Sequence, residues 1–201
     1  MFGKILFLIY LIVFIILAIN PYDRVVWFAE NAPVWITVFC IIMIHLHYHR
    51  FSNLALLFMS IFIFLHTIGG HYTFARVPFD YVTEFFGFER NHYDRVAHFS
   101  VGFYAFAITE VLWAKKLVNA KFILYSYSFF VILAIAALYE LFEWQFALLA
   151  DPNAGIEVLG SQGDIWDAQK DMLSDTLGSV FALMIFWFLH HKQIFFDRSD
   201  I

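Results

Sequence analysis

The chain has 201 residues, 62% of them hydrophobic and 14% charged, with a formal net charge of −5. Soluble domains carry about 45–50% apolar and about 25% charged residues, so an ordinary soluble fold is excluded and one polytopic membrane domain over residues 1–201 is expected. The modest charge does not suggest a nucleic-acid partner, and the one cysteine, Cys40, rules out a disulfide framework.

A membrane span needs about 20 mostly apolar residues. Six runs qualify in chain order: Phe2–Ile19, Val34–His49, Leu54–Gly69, Val96–Trp113, Phe122–Leu149 and Asp171–Leu189. The first has no small-residue cleavage site before Asn20-Pro21 and reads as an uncleaved span rather than a signal peptide. Asn20-Pro21 ends it, and Pro33 is placed to start the second helix, since proline suits a first helical turn. The second and third runs are short, and Gly69-Gly70 is expected to break the third. From His71 to Tyr93 the chain is too polar to span and too aromatic for a free loop, which predicts an interfacial or re-entrant segment. The expected fold is therefore an all-α transmembrane bundle of about six spans, with that segment between spans 3 and 4. The 27 Phe, 10 Tyr and 6 Trp residues suit aromatic belts at the span ends.

The positive-inside rule leans toward cytoplasmic termini. That orientation puts Lys4, Arg50, Lys115, Lys116, Lys121, Lys192 and Arg198 inside, and Arg24, Arg76, Arg90, Arg95 and Lys170 outside.

The chemistry concentrates in three places. Asp94 and His98 stand four apart at the start of the fourth span, on one helix face, a spacing that suits two metal ligands or a carboxylate orienting an imidazole. Glu140 and Glu143 stand three apart inside an apolar run, where carboxylates need a partner. Asp164, Asp167, Asp171 and Asp175 follow at spacings of three, four and four, on one face of a helix leading into the last span. Asp164 after Gly163 suits an N-cap, and Asp167 suits a first turn. Asp171 and Asp175 lie deeper, beyond the reach of the helix dipole, and form the leading pair. All of these fall at the outer end of the bundle in the preferred orientation. His71, Arg76, Glu84 and Arg95 are secondary candidates there. Arg76, Arg90 and Arg95 are alternative partners for the acids. His45, His47 and His49, with His190 and His191, fall at the opposite end. They read as an interfacial belt, because no carboxylate accompanies them. No nucleotide-binding or hydrolase motif occurs.

These motifs carry a resemblance. Asp94, His98 and Phe99, then Glu140 and Glu143, then Asp171, Asp175 and Gly178 resemble the three motifs of VanZ-like membrane proteins, with Asp175 where the usual residue is Asn. The chain looks more closely like the bacterial inner-membrane family typified by YjdF. That similarity runs through GGHYTFARVPF, NHYDRVAHF, YELFEW and GSQGDIWDAQKDM. It implies a multi-pass protein of the bacterial inner membrane and names no reaction. VanZ-like proteins act at the cell envelope, so the resemblance implies an envelope role.

Three functional readings follow. In the first, Asp94, His98, Glu140, Glu143, Asp171 and Asp175 converge on a substrate. His98, Glu140, Glu143, Asp171 and Asp175 then serve as ligands for a divalent cation (Mg, Mn or Zn), and the site binds or acts on a membrane lipid or lipid-linked envelope substrate. In the second, the acids pair with arginines in a non-catalytic accessory protein. In the third, the acids relay protons or cations in a transporter.

Overall fold

The computed structural model describes the backbone of residues 1–196 and the side chains of residues 1–193. Arg198, counted above for orientation, lies outside them. Among the described residues the regular elements are all helices: α1 (Phe2–Leu17), α2 (Arg24–His47), α3 (Asn53–Tyr72), α4 (Asp80–Phe86), α5 (Tyr93–Val101), α6 (Tyr104–Ala114), α7 (Lys121–Leu149), α8 (Pro152–Leu159) and α9 (Asp167–Phe196). Five stretches are long and apolar enough to cross a membrane: α2, α3, α5 with α6, α7 and α9. The apolar helix α1 has 16 residues and packs against α3.

Two boundaries differ from the sequence expectation. Helix α2 does not begin at Pro33. It begins at Arg24, because the Asp23 carboxylate accepts hydrogen bonds from the Val25 and Val26 amides (2.7 and 2.9 Å), an N-cap that outweighs the proline signal. Pro33 then lies inside a 24-residue helix. Gly69-Gly70 does not break α3, which runs to Tyr72 and is 20 residues long, so neither span is short. The two glycines serve packing instead. A Cβ at Gly70 would meet the Glu30 and Asn31 side chains at 3.0 Å, and one at Gly69 would strike the Phe74 ring.

The fourth span is interrupted. Helix α5 ends at Val101, a tight turn passes through Gly102 and Phe103, and α6 resumes at Tyr104. The turn lies against α9. A Cβ on Gly102 would collide with the backbone of Asp175, Gly178 and Ser179, and one on Gly178 would collide with Phe99. Two glycines thus let α5 and α9 approach backbone to backbone, the arrangement small residues give between membrane helices. That approach brings the acidic face of α9 against Asp94, Arg95 and His98.

The aromatic connection packs onto the bundle at its start and leaves α4 on the outside. Phe74 and Val77 pack with Tyr93 and Ala97, while α4 buries none of its residues. On the far side of the bundle, Phe58, Phe103, Phe106, Ile132 and Phe186 form the main apolar core. At that end His49 has a carboxylate partner after all. Glu110, buried on α6, lies 2.9 Å from His49 Nε2 and accepts from the Ser52 amide at 2.8 Å. The sequence places Glu110 sixty-one residues from His49, which is why the pair went unexpected.

Candidate functional site

Helix periodicity puts Asp167, Asp171 and Asp175 on the α9 face turned toward α5, and all three are buried. Burying three carboxylates in a row requires compensation, and α5 with its preceding loop supplies it in alternation. Arg90 Nη1 donates to Asp167 at 2.6 Å. Arg95 bridges Asp167 and Asp171. His98 Nδ1 lies 3.2 Å from Asp175 Oδ2. Above the helix start, Lys170 donates to Asp164 at 2.6 Å, and Asp164 accepts from the Trp166 amide. Those two hydrogen bonds, the lysine's first, hold the Asp164 carboxyl below its usual range. Asp164 therefore caps the turn before α9 rather than the helix itself, which starts at Asp167. The result is a ladder of alternating charge from Lys170 down to Asp175.

His98 is the focus of the lower end. An ionised Asp175 can only accept, so Nδ1 carries a proton toward it, while Nε2 offers a lone pair in the neutral ring and donates toward Asp94 and Asp171 in the charged one. Nε2 lies 3.5 Å from Asp94 Oδ1 and 3.8 Å from Asp171 Oδ1, too far for good hydrogen bonds. Ligand atoms of Asp94, His98 and Asp171 all lie within 4.8 Å of one another. Three buried carboxylate oxygens near this level, Asp171 Oδ1, Asp175 Oδ1 and Glu140 Oε1, make no hydrogen bond among the described residues, though Asp171 Oδ1 lies against Arg95.

A second polar layer, not expected from the sequence, joins α2, α3 and α7. The Tyr139 hydroxyl donates to Glu30 Oε2 at 2.9 Å. His66 Nε2 lies 3.0 Å from the Glu30 carbonyl oxygen and 3.2 Å from Oε2, so it carries a proton toward these acceptors. Glu30 and His66 are 1% and 3% exposed, as dry as any core residue. The Tyr139 ring touches His98, with centroids 6.1 Å apart, and so links the two layers. Glu30 and His66 each sit alone in an apolar run, which is itself a signal of function in a membrane helix.

The remaining sequence candidates fall around this centre. Glu143 is buried on α7 and lines the cavity described next. Glu140 is partly buried on the same helix. His71 Nδ1 reaches the Leu17 carbonyl at 2.7 Å and pins the α1–α2 connection. Arg76 pairs with Glu157 of α8 and stacks on Tyr22, which holds its guanidinium above its usual range. Glu84 is exposed on α4 and takes part in none of these contacts.

An apolar cavity of about 480 Å³ leads away from the polar layers. Asp94, His98, Asp175, His66, Tyr139 and Glu143 form one end of it. The other end reaches Tyr48, Phe51 and Leu112. One wall is α2 and the other is α6 and α7. Helix α2 packs mainly on α3 and α8 rather than along α6 or α7. Rim residues Ile36 and Ile135 are 65% and 45% exposed, so the slot between the walls faces the lipid.

Fold and site together define a multi-pass helical membrane protein with a buried acid–histidine–arginine centre at one end of an apolar cavity. The chain belongs to the family described as "Predicted membrane protein (DUF2238)", which it matches over residues 2–192. It is 34% identical over 189 residues to inner membrane protein YjdF of Escherichia coli strain K12, covering 91% of this chain and 88% of that protein. No solved structure matches it. It is a multi-pass protein of the inner membrane, as that relative is. The motifs DRVAHF and DAQKDMLSD lie face to face at the ladder, and YELFE sets Tyr139 beside His98.

Proposed function

We propose that this centre holds a divalent cation between Asp94, His98 and Asp171, and that it binds or acts on an envelope lipid or lipid-linked substrate at the outer end of the bundle. The orientation of His98 carries the reading. With the imidazole neutral, Asp175 holds Nδ1–H and Nε2 faces two carboxylates, the arrangement in which a second carboxylate orients a metal-ligating histidine. Ligands held about 2.1 Å from one ion at tetrahedral angles stand about 3.4 Å apart, and the closer gap here is 3.5 Å. The spacing suits tetrahedral zinc better than magnesium or manganese, whose octahedral neighbours stand about 3 Å apart. Arg95 Nη1 lies on Asp171 Oδ1, the same oxygen that faces His98 Nε2, so an ion would share that oxygen with the guanidinium or displace it. A bound ion would supply Lewis-acid binding of a phosphate oxygen or of water. The apolar cavity behind the centre supports a ligand with a hydrocarbon tail.

The ladder itself favours a second reading. Asp164, Asp167 and Asp171 already have Lys170, Arg90 and Arg95 as partners, which suits an accessory protein held together by a charge network. Elemental analysis of detergent-purified protein separates the two, with wild type beside Asp171→Asn and His98→Ala. Near-stoichiometric divalent metal, lost in both variants, supports the cation centre. No metal in the wild type, even after loading, leaves the arginines as the only partners and sinks the first reading.

A further inference from the structure

The cavity is too deep for the tails of an ordinary phospholipid. Its lining runs from Asp94 at the charged end to Leu112 near the opposite end of the same interrupted span. That stretch rises roughly 27 Å at about 1.5 Å per residue. The hydrocarbon core of a bilayer is about 30 Å thick, and one leaflet about half of that. A diacyl lipid with its head at the ladder would end near the middle, at the level of Cys40. All the carboxylates and imidazoles of the lining lie at the charged end. Below them the walls are apolar, Ile108 and Val111 facing Ile41 and Ile44, and Tyr104 spends its hydroxyl on the Met59 carbonyl at 3.1 Å. The slot between α2 and α6–α7 opens sideways, so a chain can slide in from the membrane without its head crossing an apolar barrier.

We propose that the lipid class served by this site is a polyisoprenyl phosphate: one hydrocarbon chain longer than a leaflet, with a phosphate head at the acid–histidine–arginine centre. The proposal rests on the reading above, cation included: the charged end of the cavity is lined by Asp94, Asp175 and Glu143 and by no arginine or lysine, so a phosphate head is held there through the cation. Beside the centre, Arg90 keeps donors unused, its Nε and Nη2 being buried with no hydrogen-bond partner among the described residues, whereas Arg95 is taken up by Asp167 and Asp171.

The single cysteine provides the test. Cys40 lines the cavity midway along α2, and Leu112 lines its far end. In detergent, the rate of N-ethylmaleimide labelling is measured at Cys40 in the wild type and at the far end in a Leu112→Cys, Cys40→Ala variant. The lipids added are a long-chain polyisoprenyl phosphate, geranyl phosphate and a diacyl phosphatidate. The expected result is several-fold protection of both positions by the polyisoprenyl phosphate, while phosphatidate protects Cys40 alone and geranyl phosphate leaves the far end unprotected. Equal protection of the far end by phosphatidate, or none by the polyisoprenyl phosphate, overturns the proposal. Protection of Cys40 alone by every long lipid leaves the lipid reading standing and removes the chain-length inference. The labelling is run on protein that elemental analysis shows to hold the cation, and protection of neither position there removes the lipid reading while the metal reading stands.

Discussion

Replacing Asp175 tests the logic of the centre without touching a proposed ligand. Asp175 is 1% exposed, and its Oδ2 holds the His98 Nδ1 at 3.2 Å. In Asp175→Ala the imidazole loses the acceptor that fixes its tautomer, and Nε2 is no longer held toward Asp94 and Asp171. Loss of such a supporting carboxylate costs 10- to 100-fold in metal affinity, about 1.4–2.7 kcal/mol. Asp175→Asn keeps an acceptor oxygen toward Nδ1 and should fall between wild type and alanine. Asp171→Ala removes a ligand and should lose binding altogether. The assay is competition against a fluorescent chelator, with zinc and manganese titrated into detergent-solubilised protein whose melting temperature is recorded alongside. Wild-type affinity in Asp175→Ala, in a protein that still melts cooperatively, would refute the claim that Asp175 aims His98 at an ion. So would an alanine variant no weaker than the asparagine one.

Three further outcomes follow from the same geometry. Gly102→Ala forces a methyl into the backbone of Asp175, Gly178 and Ser179, so it should destabilise the protein by at least the ~1–3 kcal/mol typical of overpacking. A lowered melting temperature should come with weakened metal binding, and unchanged melting would show that α5 and α9 are not locked there. Arg95→Gln strands Asp171 and leaves Asp167 to Arg90 alone, a break worth about 3–5 kcal/mol for a buried network. Thermal unfolding should show that loss partly recovered by added divalent cation, and no loss would mean the ladder is not load-sharing. His92, at the start of α5, is held below its usual pKa by burial first, and then by Arg90, Arg95 and Lys170. A histidine harder to protonate when folded makes the unfolded state the better proton binder, so stability should fall as pH drops through about 6.5. His92→Gln should flatten that slope in melting curves taken across pH 5–8, and an unchanged slope would assign it to other groups.

Much of this was legible because membrane helices write their period plainly. The spacings of Asp167, Asp171 and Asp175 place them on one face, and Asp94 with His98 on another, before any packing is known. The pairing between those faces is not written in either spacing. It depends on Gly102 and Gly178, two residues that read as ordinary small residues until their backbones are seen in contact. Pro33 misled because a proline signal is local, whereas the helix start is set by the Asp23 cap ten residues earlier. Glu30 and His66 were hidden for a different reason. Neither belongs to a motif, and their partnership crosses 36 residues through a glycine at 70 that lets α2 and α3 close together. The interruption at Gly102 was invisible for the same reason, since the hydropathy of the fourth span runs through it unbroken.

The charge distribution itself has a direction. The fixed cations, Lys170, Arg90 and Arg95, all meet the acids at the upper end, where Asp164, Asp167 and Asp171 stand. One layer deeper, Asp175, Glu143 and Glu30 face only His98, His66 and the Tyr139 hydroxyl among the described residues that contact them or line the same cavity end. Carboxylates there need protons or a further cation, because the apolar surroundings do not tolerate uncompensated charge. The shortage of positive charge thus lies on the cavity side of the centre, where an incoming ligand arrives, and not on the surface side, where the arginines already close the ladder. A purely structural network has no reason to be unbalanced toward its cavity. A site that waits for a cation or a proton on that side does, and this asymmetry is the physical ground for placing the chemistry below Arg95 rather than among the outer ion pairs.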